Sequence, residues 1–284
     1  MANIKDLKQR ISSITNTRQI TNAMKMVAAA KLRKAQASAV NLRPYADETA
    51  KMIQTLRAKQ TIIDHPFLSL RPKKEKILLV VLTGDKGLCG SFNSQILKKT
   101  ESFLKKHPNC DIISIGKKGN DFFKKHKANV IDTFTGIFQE LNHKLITEIA
   151  QELEHKYLNE DYKEVVFIYN AFKSAIESEI VHKTILPVAN NDELEVKKLE
   201  YLYEPDEDTI IEELVNKYTF IEVKRALAES FAAENASRMT AMDNATENAS
   251  ELINTLSLEY NRERQASITT EIIEVSSGAE AINN

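Results

Sequence analysis

Residues 206–277, DEDTIIEELVNKYTFIEVKRALAESFAAENASRMTAMDNATENASELINTLSLEYNRERQASITTEIIEVSS, run for 72 residues without a glycine or a proline. Proline removes a backbone donor and clashes with the preceding turn, and glycine carries the largest backbone entropy cost. They are therefore the strongest local breaks in a helix. Nothing in this stretch forces the backbone out of a helix. At about 1.5 Å per residue it spans roughly 110 Å, several times the radius of a domain of this chain length, so a rod is expected to project. A second uninterrupted stretch occupies residues 1–43. Of the 7 glycines and 6 prolines, all but Gly278 fall between Pro44 and Pro205.

The chain thus divides into an N-terminal coiled-coil helix over 1–57, a central α/β domain over 73–204 and a C-terminal coiled-coil helix over 206–284. Around Pro44 two readings stay open, a kink in the first helix or the start of a second segment reaching Arg57. In the first arm Ile4, Leu7, Ile11 and Ile14 repeat in alternating steps of three and four, the spacing of a coiled-coil seam. Further on the candidates are small: Ala23, Val27, Ala28, Ala30 and Ala35 in this arm, and Ala232, Ala233, Ala236, Ala241 and Ala245 in the other. Small residues let two backbones approach closely. Residues 1–43 carry nine Lys or Arg against one acid, whereas residues 206–284 carry 16 acids against six bases. This segregation predicts that the arms lie antiparallel against each other, with long-range attraction assisting register, although each exposed pair contributes only ~0–1 kcal/mol.

Composition limits the alternatives. A 28% charged content and the lack of an apolar run near the ~20 residues of a spanning helix argue against insertion into a membrane. The first residues lack the apolar stretch of a secretory signal, so export is not expected. The basic arm has the charge of a mitochondrial transit peptide, but such peptides favour Arg and Ser and do not run into a long partner-seeking helix. It also lacks the interleaved aromatics of a nucleic-acid surface, and the whole chain is slightly acidic. Cys89 and Cys110 have no paired framework or metal spacing, which predicts free thiols in a reducing compartment.

Between the arms, apolar runs alternate with helical stretches. Strands are predicted over Ile77–Thr83, Asp111–Ile115, Val130–Phe134, Val165–Tyr169, Glu179–Leu186 and, as an edge, Glu195–Tyr203. Helices are predicted over Ser91–Lys106, Lys117–His126 and Phe138–Leu158. The fold class is α/β, a Rossmann-like central domain joined to the long antiparallel coiled coil. The turn after the first strand, Gly84 to Ser91, sits where a doubly wound sheet binds phosphate. Its spacing is G-x-x-G-x-x-G, which is neither the dinucleotide fingerprint nor a P-loop. The second strand ends at Ile115-Gly116-Lys117 with no acid placed for a ribose. A tight turn that needs glycine is the expectation, and Lys86 and Cys89 on an exposed loop would offer a contact surface.

No catalytic set emerges. His65, His107, His126, His143, His155 and His182 are scattered, with no H-x-x-x-H pair and no nucleophile elbow. No cofactor or metal is expected. Two other classes are open to such a chain, a dinucleotide-dependent oxidoreductase with helical extensions, against which the glycine spacing and the missing ribose acid argue, and a coiled-coil tether pairing with its own copy.

Three segments then become specific enough for a family. Ile14-Thr15-Asn16-Thr17 through Ala23-Met24-Lys25-Met26-Val27-Ala28-Ala29-Ala30-Lys31 resembles the opening helix of ATP synthase γ subunits. Ala236 to Ala245 and the run from Tyr260 to Thr269 are similar to that subunit's last helix, and Asp85-Lys86-Gly87-Leu88-Cys89-Gly90 is similar to its central signature. The resemblance spans both ends and the middle in order. It implies a rotor shaft turning inside a ring of α and β subunits above a membrane c-ring, with an ε subunit beside it, on the cytoplasmic face of a bacterial inner membrane as a peripheral subunit. Proton flow would then be coupled to ATP synthesis or hydrolysis. Catalysis would belong to the β subunits, and nucleic acid and direct membrane insertion are not expected.

Residue by residue, the resemblance implies that Arg264 and Gln265 hydrogen-bond a loop of β. Arg238, Thr269 and Glu271 would support helix pairing and nearby contacts, with Met24 and Lys25 close by. Lys86 and Cys89 would face an acidic segment of β. No inserted cysteine pair is evident, so a thiol switch is not expected. Finally, the last arm outruns the first 43 residues by 29. If both start near the domain, a single-helix tip carries Ile268, Ile272, Ile273 and Val275, a stripe that requires an enclosing sleeve.

Overall fold

The structure is a computed structural model and describes residues 4–58, 65–137, 142–174, 177–188, 204 and 207–283. Helix α1 spans Ile4–Ala58 and continues through Pro44, and helix α5 spans Glu207–Asn283. Between them lie β1 (Lys76–Leu82), α2 (Phe92–Lys106), β2 (Cys110–Ile115), α3 (Lys117–Lys125), β3 (Val130–Phe134), α4 (His143–Asn159), β4 (Tyr162–Phe172) and β5 (Ser178–Leu186). The first turn of the helix predicted from Phe138 and the strand predicted over Glu195–Tyr203 lie outside the described residues.

The sheet order is β3-β2-β1-β4-β5. β1 pairs parallel with β2 (Ile77 opposite Cys110) and with β4 (Val80 opposite Phe167), β2 pairs parallel with β3, and β5 closes the other edge antiparallel to β4. β1 reads as an unbroken apolar run because both of its faces are covered. On one face Ile77, Leu79, Val81, Val166 and Ile168 pack with Ile96 and Leu97 of α2 and Phe123 of α3. On the other, Leu78, Val80, Leu82, Phe167 and Tyr169 meet Ile146, Ile149 and Leu153 of α4, together with Ile53 of α1 and Val215, Tyr218, Val223 and Leu227 of α5.

Polar ties cross the sheet where its strands begin. The Asp111 carboxylate, almost fully buried, accepts from Lys76 Nζ at 2.6 Å, Tyr162 Oη at 2.5 Å and Asn129 Nδ2 at 2.6 Å. Burial alone raises its pKa, but these donors outweigh that and hold it below the usual carboxylate range.

The chain divides into two compact units, residues 28–238 and residues 1–27 with 239–284. This differs from a division at 57, 73 and 206, because residues 28–58 and 207–238 fold with the sheet. In that larger unit the seam on α1 is Ala28, Leu32, Ala35, Ala39, Ala46 and Ile53, a continuation of the heptad spacing. Ala23, Val27 and Ala30 are exposed instead, since they fall outside that phase. Ala232, Ala233 and Ala236 are buried on α5 as expected.

Antiparallel register within the larger unit is set by ion pairs. Arg43 Nε lies 2.9 Å from Glu229 Oε1, and Arg225 Nη1 lies 2.7 Å from Asp47 Oδ1. In the smaller unit the ends of the two helices are antiparallel as well. Lys25 Nζ lies 2.5 Å from Asp243 Oδ1, and Thr246 Oγ1 donates to Thr21 Oγ1 at 2.8 Å. Among its described residues, the buried apolar side chains are Leu7, Met242, Ala249 and Leu256.

Candidate functional site

β1 delivers the chain into the glycine turn. Thr83 Oγ1 donates to Ile115 O at 3.1 Å and accepts from Gly119 N at 2.8 Å, so the strand end is tied to β2 and α3. Gly84 N donates to Asn93 Oδ1 at 2.8 Å. A Cβ on Gly84 would lie 2.9 Å from Glu234 Oε1, so the missing side chain is what admits a carboxylate from α5. Asp85 accepts from Lys117 N at 3.0 Å and from Gly136 N at 3.1 Å, placing a negative charge at the start of α3.

Helix α5 clamps the turn from the other side. Arg238 Nη2 donates to Glu234 Oε1 at 2.5 Å and to Gly87 O at 3.3 Å, and Ser237 Oγ donates to Cys89 O at 2.6 Å. The place beside Gly84, where a dinucleotide fold seats a phosphate, is thus taken by a carboxylate of the chain itself, which repels anions. Burial raises the Glu234 pKa, opposed by the Arg238 charge and hydrogen bond.

Lys86 is exposed on this turn, but Cys89 is not. The residue is 2% exposed and its Sγ lies 3.1 Å from Asn93 Nδ2, which corrects the expectation of a surface cysteine. Burial also pushes its pKa up, with Arg238 pulling the other way. The residue that does face outward is Leu88, 64% exposed at φ +60°. Sequence reasoning passed over it. The available signal was an apolar residue inside a glycine-rich turn, but its backbone conformation is not written in the sequence. Arg238, assigned to helix pairing, spends its side chain on the turn instead. Glu234 and Ser237 were missed because acids and serines on a long helix read as solvated.

On the far part of α5, Arg264 and Gln265 are exposed, and so are Thr269 and Glu271. Thr269 Oγ1 donates back to Gln265 O at 2.9 Å. The register that sets Lys25 against Asp243 brings Ile4 level with about residue 264, so among the described residues nothing of α1 lies opposite Thr269 or Glu271. Thr269 and Glu271 therefore do not support helix pairing. Lys25 is also not beside Arg264; its partner Asp243 lies 21 residues back along α5, roughly 30 Å. Met24 is half-buried in the same turn as Lys25. Ile268, Ile272, Ile273 and Val275 are 44%, 63%, 59% and 73% exposed, an apolar stripe open to solvent on a single helix.

Among the described residues no three His, Cys, Asp or Glu side chains gather as a metal set, and no helix is long and apolar enough to cross a membrane. The sheet is gripped by the chain's first and last helices, and the glycine turn after β1 is closed by a carboxylate of α5. A family model described as ATP synthase matches residues 3–282. The ATP synthase gamma chain of Prosthecochloris aestuarii is 42% identical over 99% of both chains, and those of Chlorobaculum parvum and Geotalea uraniireducens are each 43% identical over 99% of both. Among solved structures, the central stalk/c-ring of the Tetrahymena thermophila mitochondrial ATP synthase gives a TM-score of 0.62 at 29% identity, covering 80% of this chain and 99% of that one. A chain of the Euglena gracilis mitochondrial OSCP/F1/c-ring assembly gives 0.70 at 20% identity, covering 98% and 94%, a likeness of fold. The chain belongs to the ATP synthase γ-chain family.

Proposed function

We propose that this chain is the central rotor shaft of an F-type ATP synthase, coupling transmembrane proton flow to ATP synthesis or hydrolysis. In this reading it carries no active site of its own. It turns inside a ring of α and β subunits and imposes different states on their sites through differential contacts, which is a coupling free energy and not a chemical step. The remaining partners are an ε subunit and a membrane c-ring, and the location is the cytoplasmic face of a bacterial inner membrane, held there peripherally. The observation that carries this reading is the end-to-end match to γ chains. The open apolar stripe on α5 supports it, since a lone helix with Ile272, Ile273 and Val275 in water is stable only when enclosed.

The contact roles are those the family resemblance implies, and the exposure of Arg264, Gln265 and Lys86 supports them. Arg264 and Gln265 hydrogen-bond a loop of β, with Thr269 and Glu271 facing the same sleeve. Met24 and Lys25 lie on a second contact band, and Lys86 faces an acidic segment of β. The test is co-expression with α and β subunits. The expected result is a ring that copurifies with substoichiometric chain and hydrolyses ATP only when the chain is present. Purified chain that hydrolysed ATP alone, at a rate abolished by Lys86→Ala, would defeat the proposal.

A further inference from the structure

We infer that Leu88 is the contact tip of the glycine turn and that Glu234 is the residue that positions it. This rests on the shaft reading above. Two penalties meet at Leu88: a left-handed backbone, uncommon for a bulky residue, and a side chain left in water. Strain of this kind persists only where the surroundings over-determine it, and it collects at functional sites. Here the surroundings are explicit. The carbonyls on either side of Leu88 are both held from α5, Gly87 O by Arg238 and Cys89 O by Ser237. The turn cannot relax without breaking one of these bonds.

Glu234 anchors that grip. Its Oε1 holds Arg238, while its Oε2 is buried with no hydrogen-bond partner. A buried carboxylate with an orphaned oxygen is a poor stabiliser, and an apolar residue of similar size would pack there at less cost. What it supplies is direction, fixing the Arg238 guanidinium over Gly87 O. Gly84 completes the arrangement, since any side chain there would push Glu234 away. The surface so presented is a rigid apolar knob with the exposed Lys86 beside it. It fits a protein segment offering an apolar notch bordered by carboxylates. Holding the knob in place beforehand removes the ordering cost at contact.

The experiment uses the reconstituted complex in vesicles and reads proton uptake per ATP hydrolysed. Leu88→Asn accepts the left-handed conformation but removes the apolar contact. It is expected to assemble normally and to lower the ratio roughly 2- to 30-fold, the span single coupling residues carry. Glu234→Ala is expected to lower the ratio similarly, Glu234→Gln to restore most of it by keeping an acceptor for Arg238, and the Leu88→Asn/Glu234→Ala pair to be no worse than Leu88→Asn alone. If Glu234→Ala does not assemble, Glu234→Asp, which withdraws the carboxylate, takes its place. Full coupling in Leu88→Asn overturns the contact. An unchanged ratio in the Glu234 variants, or an additive pair, overturns the positioning. Failure of the shaft reading looks different: proton uptake then does not depend on this chain at all.

Discussion

Replacing Glu229 by alanine tests how the sheet is fastened to the helices. Glu229, 3% exposed, accepts from Arg43 Nε at 2.9 Å and from Arg225 Nε at 3.4 Å. Arg43 also donates to Phe172 O at the end of β4, and Arg225 to Asp47 on α1. Removing the carboxylate leaves two guanidinium groups facing each other with their shared anion gone. Breaking a buried pair costs about 3–5 kcal/mol. The lower end applies, because Arg43 and Arg225 are 35% and 19% exposed and Arg225 keeps Asp47. We expect about 3 kcal/mol for Glu229→Ala and about 1–2 kcal/mol for Arg43→Ala, which leaves Glu229 its second partner. The double variant should fall short of the sum by about 1 kcal/mol, as residues in one network do. Hydrogen exchange of the slowest amides in β1 and β4 is the assay, where 3 kcal/mol appears as roughly two orders of magnitude in rate. A Glu229→Ala cost under about 0.5 kcal/mol, or strict additivity, refutes the network.

Gly116 has φ +97°, and a Cβ there would lie 2.0 Å from Thr83 O, so Gly116→Ala is expected to cost about 4 kcal/mol or more and to show as lost soluble yield or a collapsed melting transition. Burial pushes the Cys110 thiol up to about 11. The unfolded chain therefore loses that proton first, and stability falls as pH rises from about 9 towards 11. Urea midpoints across that window should fall less steeply in Cys110→Ala. Lys25→Ala removes a pair whose two side chains are 38% and 54% exposed, so its cost should stay within ~1 kcal/mol and vanish in high salt when followed by hydrogen exchange. Ile272→Ser with Ile273→Ser should leave the exchange of the isolated chain unchanged, since both are exposed, while lowering recovery of the α/β ring in the co-expression assay.

Where a signal was periodic or compositional, the sequence showed it. The Gly- and Pro-free arms, the heptad steps from Ile4 to Ile14 and the apolar runs of β1 and β4 each follow from one-dimensional spacing. Pro44 was ambiguous because a proline costs one helical hydrogen bond wherever it sits, and only packing decides whether the helix survives; Ala46 and Ile53 are buried beyond it, and α1 continues. The fate of Cys89 and Leu88 was not legible. Which of two neighbouring residues faces inward depends on the positive φ at Leu88 and Gly90, set by bonds from Ser237 and Arg238 about 150 residues away. The phase of small residues on α1 was legible only in part, because Ala23, Ala28 and Ala30 look alike until the seam is extended from Leu7 to Ile53.

The buried face of α5 is more polar than a stable helix requires. Alongside Ala226, Leu227, Ala228, Ala232 and Ala233 it buries Glu222, Glu229 and Glu234, each held by a cation: Lys183 on β5, Arg43 on α1, and Arg238, which reaches the glycine turn. Apolar burial is non-directional, so a helix held only by alanine and leucine can turn or slide by a step at little cost. A carboxylate bonded to a cation on another element fixes both the height and the rotation of the helix, and a small shift in either breaks it. Glu222 and Glu229 fasten α5 in this way to an edge strand and to α1, and Arg238, oriented by Glu234 on the same helix, fastens it to the turn after β1 through Gly87 O. For a chain whose proposed task is to carry torque, resistance to twisting matters more than total stability. Three directional locks supply it where a fully apolar seam of the same area does not.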